Sequence, residues 1–343
     1  MRAAVIRGKH QFELAEVAEP VAGVGEAVID IQRCGICGSD VHAYVEGWPY
    51  APGLCGHEWV GVVRGLGDGV NNVVEGDRVT GGVSPGCGAC AECRAGIPFF
   101  CAVGRATYGG RAGPANGGFA RSMALRADRL CKVPDAVNDD DAAVIEPASV
   151  ALHGVRRSRL RPGDITCVVG CGPIGLLTLQ CARIAGAGHV IAVEPDPTRR
   201  QRALALGANA AVAPGGELRD HLNDISGGLR ADIAFDCAGV PQTLQQSVDM
   251  VRRGGSVCMI GVSGENSTVS PMRWMAKEVS VDTSMVFTLD EMRIVGNYIA
   301  DGRLNVTSLV DGTITLDELG DTIIGMANRN IDAVKVLVDP RAG

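Results

Sequence analysis

Four cysteines stand close together as Cys87, Cys90, Cys93 and Cys101, in the spacing C-x2-C-x2-C-x7-C. Tetrahedral zinc takes soft ligands at about 2.3 Å, and spacing this tight lets one loop wrap the ion. Four thiolates close the coordination sphere and leave no position for a substrate, so the loop reads as a structural zinc site. An iron–sulfur cluster takes the same four thiolates and is the alternative. Three other segments carry ligand-type residues: CGICGSDVH (Cys34–His42), GHE (Gly56–Glu58) and Glu146–Pro147. A catalytic zinc needs three protein ligands and one open position. Taken singly, none of the three segments establishes one.

A second chemistry lies in GCGPIG. It supplies G-x-G-x-x-G through Gly170, Gly172 and Gly175, with Pro173 and Ile174 opening a helix. The first glycine allows a tight turn, the second lets backbone approach a pyrophosphate, and the third lets helix pack on strand. The helix N-terminus then receives the diphosphate on its free N–H groups. Glu194 closes the next apolar run, 19 residues after Gly175, where an acid holds the ribose hydroxyls. A carboxylate there repels a 2′-phosphate, which favours NAD over NADP. Arg199 and Arg200 follow within two turns and soften that preference. A methyl-transferring domain that binds an adenosyl sulfonium is the competing use of such a turn, and the zinc-type residues speak against it.

These residues need a frame. Up to about Val150 the chain has short β-type runs divided by glycine: AAVIR, EAVIDIQ, EWVGVVRGLG and DRVTGGV. Such a texture predicts a twisted, mostly antiparallel β unit. Beyond it, strand-like DITCVVG, HVIAVE, ADIAFDCAG and GSVCMIGV alternate with helix-like PIGLLTLQCARIAGA, DPTRRQRALALGA, DHLNDIS and PQTLQQSVDMVRR. That alternation predicts a doubly wound parallel sheet, an α/β fold. After about Met285 come helical LDEMRIVGNYIADG and LDELGDTIIGMANR and a final strand, KVLV. The predicted division is one domain over 1–150, completed by 286–343, and a dinucleotide-binding domain over 151–285. Ile165–Val193 is apolar enough to imitate a membrane span, but its glycines and Pro173 make it strand, turn, helix and strand.

Composition removes whole classes. The 343 residues carry 32 basic and 39 acidic side chains, a net charge of −7. No global field draws such a chain to nucleic acid or to anionic membrane. Arg156–Arg157 and Arg199–Arg200 are short and read as solvated helix faces. The first residues, MRAAVIRGKHQ, lack the apolar core of an export signal. A reducing, cytoplasmic setting is therefore expected, where 13 cysteines point to metal or catalysis rather than to disulfides.

In combination the motifs carry a resemblance over nearly the whole length. The pattern G-H-E-x2-G-x5-G-x2-V is present as Gly56, His57, Glu58, Gly61, Gly67 and Val70. CGICGSD, the four-cysteine loop and the glycine-rich turn follow in order around it. The chain resembles the zinc-dependent medium-chain alcohol dehydrogenases. The resemblance implies a GroES-like, mostly β catalytic domain beside a Rossmann domain. It implies two zinc ions per chain, one structural and one catalytic.

It makes Cys37 and His57 ligands of the catalytic zinc. Glu146 falls where the best-known members have a second cysteine, which is similar to the polyol (sorbitol) and butanediol branch. A carboxylate in place of a thiolate makes the metal harder. Glu58 is a further acid beside the ion, either a ligand when water leaves or a neighbour of the ligands. Cys34 and Cys55 are expected to pack.

The implied reaction is NAD-linked oxidation of a secondary alcohol, diol or polyol to the ketone. Ser39 takes the hydroxyl proton, the cofactor ribose relays it, and His42 passes it to solvent. His153 is expected to pack, while Trp48, Tyr50, Tyr108 and Phe119 are each either a pocket wall or ordinary core or loop packing. A threonine-type amino-alcohol dehydrogenase is the alternative within the fold. A zinc-free enoyl or quinone reductase, and a non-catalytic zinc-stabilised binding protein, agree less well with Cys37, His57, Glu58 and Glu146 together. A small-molecule partner and a homo-oligomer, dimer or tetramer, complete the expectation.

Overall fold

The computed structural model describes residues 1–47, 55–82, 87, 89–95, 100–101 and 117–342. Trp48, Tyr50 and Tyr108 lie outside the described residues. The chain divides into two units. Unit 1 comprises Met1–Glu146, Phe287–Asp301 and Val306–Gly343, and unit 2 comprises Pro147–Val286 and Gly302–Asn305.

Unit 1 opens with an antiparallel ribbon of β1 (Arg2–Gly8) and β2 (Gln11–Glu16). Its main sheet is built on β3 (Glu26–Gly35), β4 (Glu58–Leu66), β5 (Arg78–Gly81), β6 (Ser122–Arg126) and β7 (Leu130–Lys132). These strands pair antiparallel, β3 with both β4 and β6. Ala27, Ile29 and Ile31 alternate inward along β3 and are fully buried. They join Trp59, Val63, Val79 and Met123 in one core. Period-2 burial of this kind fixes the register, because a slip of one residue would turn every apolar side chain outward.

Unit 2 is a six-stranded parallel sheet of β8 (Ile165–Val169), β9 (His189–Val193), β10 (Ala210–Val212), β11 (Ala231–Asp236), β12 (Val251–Met259) and β13 (Ser280–Thr283). The order is β10-β9-β8-β11-β12-β13. From β8 the chain winds to one side through β9 and β10, then restarts on the other side with β11. The glycine-rich turn after β8 therefore stands where the winding reverses, which is where open parallel sheets bind ligands. Strands such as ITCVV, buried from Thr166 to Val169, are largely apolar because they are covered on both faces.

The helical run predicted over PQTLQQSVDMVRR stops at Met250, and Val251–Arg253 begin β12 instead. Val251 is fully buried and pairs with Ala231, so sheet pairing overrides the helical spacing there.

The chain then returns to unit 1 through the helix Leu289–Ala300, started by a Thr288–Glu291 capping box. It adds β14 (Val310–Thr315) and β15 (Lys335–Asp339), which pair parallel with each other. β15 pairs antiparallel with the end of β3. Between these pieces, Gly302–Asn305 belongs to unit 2. The Gln180 side chain explains this, donating to Asn305 O at 2.9 Å and accepting from Asn305 N–H at 2.8 Å. Residues 147–150 likewise group with unit 2.

Candidate functional site

In unit 1, the β3–β4 register places Gly35 opposite Glu58. Cys37 lies just past the end of β3 and His57 just before the start of β4, so the two strands bring them together. Cys37 is also the N-cap of the helix Gly38–Glu46. Asp40, fully buried, accepts the Cys37 N–H at 2.8 Å, while its own N–H faces the Cys37 sulfur in a reciprocal capping box. The helix start thus orients the thiol.

Ligand atoms of Cys37, His57 and Glu58 lie within 4.8 Å of one another. Sulfur, imidazole nitrogen and carboxylate oxygen form a zinc donor set, and the span is one that a single ion bridges. Glu146, in the first turn of the helix Ile145–Arg157, is 7% exposed and stands outside that trio. Burial pushes its pKa up to about 7, with Glu58 adding to the rise and His57 and Lys335 opposing it. Burial works against a charge on His57, yet the adjacent Cys37, ahead of Glu146 and Asp40, carries its pKa well above the ordinary value. These groups press on one another as members of one buried cluster do.

Two members of the cluster were not singled out from sequence. Asp40 carries a local signal, an acid three residues after a helix N-cap. Lys335 is 1% exposed, donates to Ile36 O at 2.9 Å and forms a buried ion pair with Glu58. Burial opposes its charge, but Glu58 and then Cys37 outweigh it and raise its pKa. Its only sequence signal is a lysine opening an apolar strand.

Among the described residues, Ser39 Oγ is buried without a hydrogen-bond partner. His42, on the same helix, holds Glu46 Oε1 at 2.7 Å through Nδ1, with its side chain 39% exposed. Cys34, Cys55 and His153 are buried, as packing residues are. Of the two roles open to Phe119, the structure shows core packing, at 1% exposure. Gly56 lets it in, since a Cβ there would come within 2.8 Å of the Phe119 ring.

In the cysteine loop, the sulfurs of Cys87, Cys90, Cys93 and Cys101 lie within 4.8 Å of one another. Cys90 Sγ and Cys101 Sγ are 3.7 Å apart. Four sulfurs at 2.3 Å around a tetrahedral ion would stand roughly 3.8 Å apart, so the cage has the size of a zinc tetrathiolate. Backbone N–H groups of Ala89 and Cys90 point at Cys87 Sγ, at 3.4 and 3.3 Å, and lower its pKa.

In unit 2, Gly170 takes φ +90°, a conformation that favours glycine. A Cβ on Gly175 would overlap Gly170 O, so the turn and the helix Pro173–Ile184 close only on glycine. Gly172 is the N-cap and Pro173 the first helical residue, with Ile174 after it. Glu194, 6% exposed, accepts from Cys171 N–H at 2.7 Å and from Asp196 N–H at 3.0 Å. Asp196 caps the next helix by accepting the Arg199 N–H at 2.8 Å. Arg200 donates to the carbonyls of Glu194 and Pro195 at 2.8 and 2.7 Å.

Comparison with known proteins agrees with both units. The family model for alcohol dehydrogenase GroES-like domains matches residues 23–135, and that for zinc-binding dehydrogenases matches residues 173–300. The chain is 31% identical to (R,R)-butanediol dehydrogenase of Bacillus subtilis strain 168, covering 99% of this chain and 100% of that protein. It is 29% identical to sorbitol dehydrogenase of the same strain, covering 99% and 97%. A zinc-binding dehydrogenase from Sinorhizobium meliloti 1021, solved with NADP, superposes with a TM-score of 0.86 at 29% identity, over 99% of each chain. Among the described residues, no helix is long and apolar enough to cross a membrane. An α/β chain with a GroES-like unit, a Rossmann unit and zinc-type residues in both expected places belongs to the zinc-dependent medium-chain alcohol dehydrogenases, in their polyol and butanediol branch.

Proposed function

We propose that the chain oxidises a secondary alcohol, diol or polyol to the ketone with NAD. The observation that carries this is the convergence of Cys37, His57 and Glu58 within 4.8 Å, apart from the four-cysteine cage. Cys37, His57 and Glu58 would hold the catalytic zinc, with Glu146 as the further carboxylate that the resemblance implies, and Cys87, Cys90, Cys93 and Cys101 a structural one. Gly170, Gly172, Pro173, Ile174, Gly175, Glu194 and Arg199 would bind the dinucleotide. Residues 1–150 with 286–343 are then the catalytic domain, and 151–285 the NAD-binding domain.

When bound, zinc supplies a Lewis acid that lowers the pKa of the substrate hydroxyl, and nicotinamide supplies the hydride acceptor. The chain's own part is to place and move the proton. Ser39 offers a buried hydroxyl that has no partner among the described residues, as suits a group that receives the substrate proton. His42 stands on the same helix with an exposed ring and passes the proton to solvent. Glu194 favours NAD because its carboxylate repels a 2′-phosphate.

The family's habit makes a dimer or tetramer the expected assembly. Thirteen cysteines, all free, suit a reducing cytoplasm.

Metal analysis tests the centre, with about two zinc ions per chain expected. A Cys37→Ser enzyme should lose turnover and keep NAD binding; unchanged turnover would refute the ligand role. Nicotinamide reduction over a panel of diols, polyols, secondary alcohols and threonine identifies the substrate. Activity confined to threonine would replace the polyol reading with an amino-alcohol one.

A further inference from the structure

We infer that His189 and His221 form a binding site in unit 2 for a divalent transition-metal ion such as zinc, which clips β9 to the helix Gly216–Ser226. Neither histidine belongs to the two cysteine-bearing clusters of unit 1.

The apolar packing of unit 2 places the pair. Side chains alternate along a strand, so His189 shares a face of β9 with Ile191 and Val193. Helix residues three and four apart are neighbours, so His221 stands beside Leu218 and Ile225. Ile191, Val193, Leu218 and Leu222 are buried in one core, and Ile225 packs against it. The contacts that seat the helix on the strand thus bring the two histidines together at the edge of that core. Their ring centroids are 5.8 Å apart, with 42° between the ring planes. Both Nε2 atoms are buried and, among the described residues, neither has a hydrogen-bond partner.

Burying an unmatched polar atom is unfavourable, and here it happens twice on neighbouring rings. One cation accepted by both nitrogens would satisfy the two together. A metal bonded to imidazole at about 2.0–2.1 Å sits roughly 3.2 Å from the ring centroid. Two rings on one ion then stand roughly 5.2–6.4 Å apart, from a tetrahedral to a linear angle at the metal. The observed spacing falls inside that range. Imidazole suits zinc, nickel or copper rather than the hard ions magnesium and calcium. Ligation needs an unprotonated ring. Burial, with His221 adding to it, lowers the His189 pKa and keeps that ring neutral at neutral pH.

The helix adds charge of the right sign. It carries Glu217, Asp220 and Asp224 against Arg219. Glu217 and Asp224 are exposed and lie one turn to either side of His221. Their carboxylates, or water, fill the positions that the two imidazoles leave. His189 opens β9 and Glu194 follows its last residue, so roughly 16 Å of strand separates this site from the acid assigned to the ribose. The ion's task is to hold strand to helix, not to touch the alcohol.

The experiment counts labile zinc. Enzyme dialysed in zinc-free buffer, so that only its tightly held ions stay, is then brought to equilibrium with micromolar zinc at neutral pH. The parent should take up about one further ion per chain, and its Tm should rise. His189→Asn and His221→Gln should each lose both the uptake and the rise while keeping NAD binding, which reports that unit 2 is folded. The readout is a difference, so it stands whatever number of ions unit 1 holds. No uptake by the parent would overturn the inference without any variant. Equal uptake by the parent and either variant would overturn it too. An ion that both histidine variants keep, and that Glu217→Gln/Asp224→Asn loses, would belong to the acidic helix surface alone, and the inference fails.

Discussion

Glu194 and Cys171 form one hydrogen-bonded unit: the carboxylate just past β9 accepts the Cys171 N–H, inside the glycine-rich turn, at 2.7 Å. The acid assigned to the ribose hydroxyls therefore also holds the turn assigned to the diphosphate. Its second oxygen accepts from Asp196 N–H at 3.0 Å. Each carboxylate oxygen retains further acceptor capacity, so the two tasks are compatible.

Replacing Glu194 should show both. Glu194→Ala should narrow the NAD-over-NADP ratio in kcat/KM and also weaken NAD binding, since the turn loses its brace. Glu194→Gln presents an NH2 group to one of two backbone donors and should weaken binding too. An unchanged cofactor ratio in Glu194→Ala would show that the acid does not face the ribose.

The third glycine makes a sharper case. A Cβ on Gly175 would meet Gly170 O, a backbone atom that cannot turn aside. Gly175→Ala should cost about 1–3 kcal/mol, the usual cost of overpacking, and should impair NAD binding. Thermal unfolding with and without NAD checks it. An alanine variant with parental Tm and affinity would show that the turn has room the structure does not allow.

Local motifs of this kind were legible in sequence because each acts through neighbours only a few residues apart. Gly170, Gly172 and Gly175 constrain one turn, and Cys87, Cys90, Cys93 and Cys101 surround one small volume. Lys335 was not legible. It reaches Glu58 only because β15 pairs with β3 through Leu337 and Gly35, while β3 pairs with β4 through Gly35 and Glu58. No spacing rule spans that distance. Phe119 stayed open between two roles for a different reason: its type suits either a core or a pocket wall, and only packing decides which. Strands β13 and β14, polar or exposed along much of their length, lack the apolar runs that reveal a strand.

Backbone strain gives a stability prediction. Val286 has φ +67°, a left-handed conformation that a β-branched side chain disfavours. Such a conformation costs about 1–2 kcal/mol in a non-glycine residue, whereas glycine gives back about 0.5–1 kcal/mol in entropy. Val286→Gly should therefore leave the protein slightly more stable, with Tm up by about 2 °C. A fall in Tm would mean that Val286 packing outweighs the strain.

Unit 2 should be acid-sensitive through His189. Burial lowers its pKa below the ordinary value, and His221, with ring centroids 5.8 Å apart, adds to the shift. Between the lowered pKa and about 6.5, the unfolded chain binds more protons than the folded one. The stability from the neutral ring is thus complete above about pH 6.5 and is lost as pH falls through the lowered value. Urea unfolding should show parent midpoints dropping more steeply below pH 6.5 than those of His189→Asn. Equal slopes would remove His189 as the cause.

Ser39 separates stability from activity. Its hydroxyl is buried and has no hydrogen-bond partner among the described residues, and an unmet buried hydroxyl is unfavourable for folding. Ser39→Ala removes that hydroxyl and keeps the Cβ, so the free protein should be as stable as the parent or slightly more so. The same change removes the group assigned to receive the substrate proton, and positioned proton transfer contributes about 100-fold or more. kcat should therefore fall by at least about that factor, with NAD affinity unchanged. The parent rate should gain less from raising the pH than the variant rate, because the variant depends on solvent to take the proton. A variant that loses stability along with activity would show Ser39 to be a packing residue with a partner, and one that keeps its turnover would move the proton's first stop to another group.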